Sequence, residues 1–402
     1  MTKFDIIIVG AGAAGLSLAY HLSKSIWADK KILLLDKDSK QNNDRTWCFW
    51  SEEAPKFECA RKVHWQNMRF LGKNFEKKAS LVPYNYYHIR GLDFYEEIKT
   101  QLKKFENIKW QQETVITINE SNSEVTTDIN KYSADWIFNS VPQFSSAFPL
   151  NKTEVKQYFK GYFIKTNKEV FDTDTATLMD FSMNEKDKIE FFYVLPFTKK
   201  YALIECTVFT TEFQDPEKYQ AKIRKYIKEK IGVVDFEVVE EEKGMIPMTI
   251  KPMPLRSSSS VFHVGAAGGM TKATTGYTFQ NIQFFCEDLI NHWQKDFKTI
   301  QLKKLATPKR FSFYDGLLLH IIKKRPHSFQ GIMENLFKNN DLPSVIKFLT
   351  QKSSLLDEAR IFFNLSWYPF LKAVYEKYFW KNKKIFNLKS RRSFKLGNTT
   401  YL

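Results

Sequence analysis

The segment Phe4-Asp-Ile-Ile-Ile-Val-Gly-Ala-Gly-Ala-Ala-Gly-Leu-Ser-Leu-Ala-Tyr-His-Leu22 decides the reading of this chain. Phe4 to Val9 is a near-continuous apolar run that meets glycine at once, the pattern of a strand buried on both faces of a parallel sheet. Gly10, Gly12 and Gly15 follow, and Leu16, Ala19, Tyr20 and Leu22 then recur at helical spacing. Strand, tight turn and helix are predicted in that order. Gly10 permits the turn, Gly12 lets backbone approach a pyrophosphate, and Gly15 lets helix and strand close up, with the helix N-terminus facing the phosphate charge. A second apolar run, Ile32 to Leu35, ends in Asp36, 21 residues past Gly15. That is where a dinucleotide fingerprint places a carboxylate for the ribose hydroxyls. One such fingerprint is present and it opens the chain, which favours FAD over NAD.

Beyond Asp36 a polar linker leads to Asp44-Arg-Thr-Trp-Cys-Phe-Trp50, three large aromatics beside Arg45, suited either to a planar ligand with a charged end or to a core. Residues 83 to 102 read as an extended piece turning at Gly91 into a helix, with Asp93 as cap or first-turn residue. Residues 107 to 140 alternate around turn residues at 119 to 123 and return to the first sheet through Trp136-Ile-Phe138. From about 155 the pattern becomes alternating strands, a second, β-rich domain inserted in the first. In its strand Tyr201 to Thr211, Tyr201, Leu203, Glu205, Thr207 and Phe209 fall on one face and Ala202, Ile204, Cys206 and Val208 on the other. Glu205 is the single charge of that strand. Unless it faces water or pairs with a base, desolvation raises its pKa toward the range of a proton donor. Val261-Phe-His-Val-Gly265 is another buried strand, running into a small-residue turn through Gly269, Thr275 and Gly276 and then a helix from Phe279 to Trp293. Such a returning turn can lay backbone amides against the far part of a bound cofactor.

The predicted architecture is α/β: a Rossmann-like FAD-binding domain (1–155 and 256–298), an inserted β-rich substrate domain (156–255) carrying Glu205, and a helical, basic C-terminal region (299–402). The 402 residues suffice for two or three domains. Lys and Arg number 61 against 45 Asp and Glu, a net charge of +16, which calls for an anionic partner. From Lys372 to Lys395 nine basic residues alternate with aromatics and one acid. That composition suits a membrane interface, and with no recognition fold beside it nucleic acid is disfavoured. The chain opens as strand rather than as a secretory leader, and no apolar stretch approaches the roughly 18 residues of a membrane span. Cys48, Cys59, Cys206 and Cys286 form no CxxC pair and the seven histidines no metal spacing, so a reducing compartment and no metal are expected.

Together these segments resemble the carotenoid lycopene cyclases of the bacterial and plant type. The resemblance is carried by the fingerprint, Asp44 to Trp50, Tyr87-His-Ile-Arg-Gly-Leu-Asp-Phe-Tyr95, Leu178-Met-Asp-Phe181, Tyr193-Val-Leu-Pro196, Leu203-Ile-Glu-Cys-Thr207 and Gly265 through Tyr277. It implies a FAD-bound enzyme, peripheral on the cytoplasmic side of a membrane, that converts the ψ-ends of lycopene and related linear carotenes to β-rings without net redox change. The flavin must be reduced but is not consumed, and NADPH is a candidate reductant. Glu205 matches the family's first Glu and is the catalytic acid–base candidate. Gly10, Gly12, Gly15, Asp36, Arg90, Gly265, Gly269, Thr275 and Gly276 are the cofactor candidates. The chain departs from the family at Cys206, where a second Glu is usual, at Asn139 for an Asp, and at Lys272 for an aromatic or His. The rival readings are a FAD-dependent monooxygenase or reductase acting on a lipid, and a non-catalytic carotenoid- or membrane-binding protein.

Overall fold

The structure, a computed structural model, describes residues 1–144, 154–185, 187–293, 297–300 and 308–379. Three sheets organise them. The first runs, in spatial order, 108–112, 32–36, 2–9, 131–139, 124–127 and 115–119, with the short strand Val261–His263 beside the second half of Lys131–Asn139. Thr2–Val9 pairs in parallel with both Ile32–Asp36 and Lys131–Asn139, and its residues from Ile6 onward are almost fully shielded. The helix Ala13–Ser23 crosses from this strand to the next and buries Leu16, Leu18, Ala19 and Leu22, joining a core with Phe94, Ile98, Phe279, Ile282 and Phe285.

The chain leaves the first sheet at Asn139 and rejoins it at Val261, where Ile137, Phe138 and Asn139 pair with Val261, Phe262 and His263. Between these points lies the inserted β-rich layer, an antiparallel run in the order 236–248, 155–166, 201–210, 190–198 and 175–180. That layer reaches beyond residues 156–255: Asn67–Leu71 pairs in parallel with Thr175–Asp180, and Glu76–Ser80 completes the edge. Backbone pairing, which composition does not reveal, assigns these two strands to the second sheet. A small third sheet, 46–51, 85–90 and 63–65, supplies Trp50, Trp65 and Tyr86 to the core beneath the inserted layer.

The faces of Tyr201–Thr210 divide as period-two alternation requires. Leu203 and Phe209 join the core shared with the C-terminal helices, whereas Ala202, Ile204, Cys206 and Val208 pack with Ile223 and Tyr226 of the helix Gln220–Tyr226. The C-terminal region forms helices at Lys309–Lys324, His327–Asn339, Leu342–Leu349, Leu355–Phe363 and Trp367–Val374. Most of the basic stretch from Lys372 to Lys395 lies outside the described residues. Among the described residues no helix is long and apolar enough to cross a membrane, and no group of His, Cys, Asp and Glu is arranged to hold a metal ion.

Candidate active site

One cavity of about 630 Å³ runs from the glycine turn to the inserted sheet, lined at one end by Gly10, Gly12 and Asp36, and at the other by Tyr193, Leu203, Glu205 and Glu242. The near end fits a dinucleotide. Gly10 holds φ +94°, and a Cβ on Gly15 would lie 1.8 Å from the Gly10 carbonyl oxygen, so neither position accepts another residue without moving the turn. A Cβ on Gly12, by contrast, would meet no protein atom within 4 Å. The space over Gly12 is open, as a bound pyrophosphate needs. Asp36 accepts a 2.6 Å hydrogen bond from the Ala11 amide, which ties this candidate cofactor residue to the turn.

The returning loop closes on the same place. Gly265 holds φ +62°, and a Cβ there would lie 2.6 Å from Ala14 Cβ, so its lack of a side chain lets the loop abut the first helix. Gly265, Thr275 and Gly276 line the cavity, and Thr275 Oγ1 is buried without a hydrogen-bond partner, a hydroxyl available to a ligand. Two other cofactor candidates sit elsewhere. Gly269 (φ +74°) shapes the loop against Met253 and Arg90 pairs with Asp93 and Glu240; neither lines the cavity. The basic groups that do are Lys37, Lys40 and Arg45, the last beside Thr46, Trp47 and Cys48. Gly15 contributes through turn packing alone.

Glu205 opens into the far end of the cavity. Its carboxyl is pushed well above the usual range, first by burial and then by the charge of Glu242, against the pull of a 2.6 Å hydrogen bond from Thr207 Oγ1. Glu242 is raised as well, chiefly by burial, with Thr46 and Glu205 pulling it down. The pairing follows from register. Gly161 lies opposite Glu205 on one side and opposite Glu242 on the other, so the three share one row of one face. The two residues are two strand spacings apart at their backbones, roughly 9–10 Å, and their carboxyls act on each other across a residue with no side chain. A Cβ on Gly161 would lie 3.1 Å from Glu242 Cγ.

Residues 205 and 206 point to opposite faces, and Cys206 is buried on the far side of the sheet. A carboxyl at 206 could not have met Glu205 across this strand. Glu242 escaped sequence reading because Glu240-Glu-Glu242 resembles a solvated acidic run; the available signal was alternation, which sets Glu242 on the face of Gly244 and Ile246. Around the pair stand Tyr86, Tyr193 and Tyr277, with Tyr86 and Tyr277 joined at 3.1 Å through their hydroxyls, and Trp50 edge-on to Tyr277 at 4.5 Å. Of the other departures, Asn139 bonds His263 at 3.0 Å, and Lys272 makes a buried ion pair with Asp315 at 2.8 Å.

Solved structures of other proteins share this chain's fold. A geranylgeranyl bacteriochlorophyll reductase-like protein from Thermoplasma acidophilum matches with a TM-score of 0.58 and 13% identity, over 94% of this chain and 97% of that one. A flavoprotein/dehydrogenase from Cytophaga hutchinsonii matches with a TM-score of 0.57 and 13% identity, over 86% and 92%. Among curated sequences, a chloroplastic neoxanthin synthase from Solanum tuberosum is 24% identical over 307 residues, 68% of this chain and 57% of its own length, and its counterpart from Solanum lycopersicum matches to the same extent. The chain thus spans a little over half the length of these relatives. The model of the lycopene cyclase protein family matches residues 5–374, and the chain belongs to that family.

Proposed function

We propose that this protein is a FAD-dependent lycopene β-cyclase, an intramolecular lyase that closes the ψ-ends of lycopene to β-rings, by way of γ-carotene to β-carotene. One observation carries the reading: a single cavity joins a dinucleotide-shaped turn to a carboxyl whose pKa burial pushes well above the usual range. A carboxyl of this kind can donate a proton at neutral pH. Glu205 protonates the terminal double bond, the neighbouring double bond attacks the tertiary cation, and loss of a ring proton leaves the endocyclic alkene. Such a cation needs dry walls and nearby π-faces or negative charge. Tyr193, Tyr277 and Tyr86 supply the first, Glu242 the second. Reduced FAD, held by Gly10, Gly12, Asp36, Gly265, Thr275 and Gly276, supplies further negative charge when bound; NADPH is its proposed reductant.

Lycopene is insoluble in water, so the protein must meet it at a membrane, and a peripheral site on the cytoplasmic side is proposed. The helices Leu355–Phe363 and Trp367–Val374 expose Leu355, Leu356, Phe363, Trp367 and Leu371 alongside Arg360 and Lys372, a composition suited to an anionic lipid surface. The activity is tested by expressing the chain in cells that accumulate lycopene, with Glu205→Gln in parallel, and chromatographing the pigments. β-Carotene from the parent and unchanged lycopene from the variant are expected; unchanged lycopene beside folded, yellow parent protein would sink the reading.

A further inference from the structure

We propose that Glu242 is the second catalytic carboxyl of this site: it shares one proton with Glu205 across the gap at Gly161 and recovers the ring proton that ends cyclisation. The inference rests on the cyclase reading and adds to it the identity of the base.

Geometry carries it. Glu205 and Glu242 occupy one row of one sheet face with Gly161 between them, and both line the cavity. Glu242 Oε2 is buried and accepts no hydrogen bond from the protein. Leaving a buried carboxylate oxygen without a partner is costly, and such a group calls for a ligand or a role to explain it. Two buried carboxyls that act on each other do not both ionise at neutral pH; one proton is held between them. Arg45, Glu240 and Cys48 act on Glu242, and Tyr193, Tyr277, Cys48 and Cys206 on Glu205. The arrangement places the proton on Glu205 and the charge on Glu242, where Arg45 favours it.

The steps balance. The O–H bond of Glu205 breaks as the terminal alkene carbon takes its proton, and the neighbouring π-pair forms the ring bond. A ring C–H bond then breaks, its electrons forming the endocyclic alkene and its proton going to Glu242. Passage of that proton across the pair restores the starting state, with nothing oxidised or reduced.

The test uses purified, FAD-loaded protein given lycopene in phosphatidylglycerol vesicles, comparing the parent with Glu242→Gln and Glu242→Asp. Glu242→Gln should keep its FAD, lose at least about 100-fold in turnover, and yield residual product whose ring double bond has moved, because the proton leaves from another carbon. Turnover within threefold of the parent with the ring unchanged overturns the proposal and leaves the cyclase reading intact. Should Glu242→Gln fail to hold FAD, Glu242→Asp decides: it keeps the charge but draws the carboxyl back from Glu205, and a fall of at least about tenfold supports the pairing, whereas the parent rate overturns it. Infrared titration of the protonated-carboxyl band needs no substrate. Glu205 should lose its proton at lower pH in Glu242→Gln than in the parent, and an unmoved titration contradicts proton sharing even in a protein that does not cyclise lycopene.

Discussion

Thr207 donates a 2.6 Å hydrogen bond to Glu205 Oε1 from two residues further along the same face of the strand. The bond favours the ionised carboxyl and so opposes the upward push of burial and of Glu242. Removing it in Thr207→Val should raise the Glu205 pKa further and make it a weaker acid. The expected result is a several-fold slower reaction with the alkaline limb of the pH–rate profile displaced upward; an unchanged profile would show that the bond does not tune the donor.

Burial of Glu205 also has a sign in stability. Its folded pKa lies well above the unfolded value of about 4.3, so from roughly that pH upward the native state keeps a proton that the unfolded chain releases. Stability from this group is complete below that value and declines as pH rises toward the folded pKa. Glu205→Gln cannot ionise and should melt at a higher temperature than the parent at about pH 8, with the gap closing near pH 4. A lower melting temperature for the variant at pH 8 would contradict the assignment.

The glycines of the turn should separate folding from binding. A Cβ at Gly12 meets no protein atom, whereas one at Gly15 meets the Gly10 carbonyl at 1.8 Å. Gly12→Ala is therefore expected to melt within a few degrees of the parent apoprotein but to retain little flavin, since the new methyl enters the ligand's space. Gly15→Ala should lose both flavin and stability. Flavin absorbance per folded protein, read beside the melting curve, distinguishes the two outcomes.

Lys272 and Asp315 form a buried pair at 2.8 Å, with Thr274 donating to the same carboxylate. The pair ties the returning loop to the helix Lys309–Lys324. Burial lowers the Lys272 pKa while Asp315 supports its charge. Lys272→Met strands the carboxylate and should cost about 3 kcal/mol, and the double variant Lys272→Met with Asp315→Leu should regain most of it. Equal stability of single and double variants would count against the pair.

A membrane role for the C-terminal helices predicts loss of vesicle binding. Phe363 and Trp367 are 81% and 58% exposed, and replacing both by Glu should reduce sedimentation with anionic vesicles at least tenfold while leaving FAD content unchanged. Undiminished sedimentation would place the contact elsewhere.

Much of this arrangement is legible in the amino-acid sequence. The apolar run into Gly10, the acid at Asp36 and the strand at Val261 are local patterns, and each lies where periodicity places it. Glu205 stands out as the lone charge of its strand. What escaped reading is set by pairing between distant strands. Asn67–Leu71 looks like part of the first domain until its partner is known to be Thr175–Asp180. Glu242 looks solvated until register sets it across Gly161 from Glu205. Arg90, a cofactor candidate through the resemblance of its segment, pairs with Asp93 and Glu240 and lies off the cavity lining, a placement that only the fold reveals.

Cyclisation without net redox change is tested most directly by the mass of the product, measured together with reductant consumption. Purified protein with FAD, reduced under anaerobic conditions by a known amount of NADPH or dithionite, is given lycopene in vesicles. A cyclised product of unchanged mass, formed over many turnovers per reducing equivalent, is expected. A product that gains or loses hydrogen, or gains oxygen, in step with the reductant would contradict it and make the protein an oxidoreductase on the same fold.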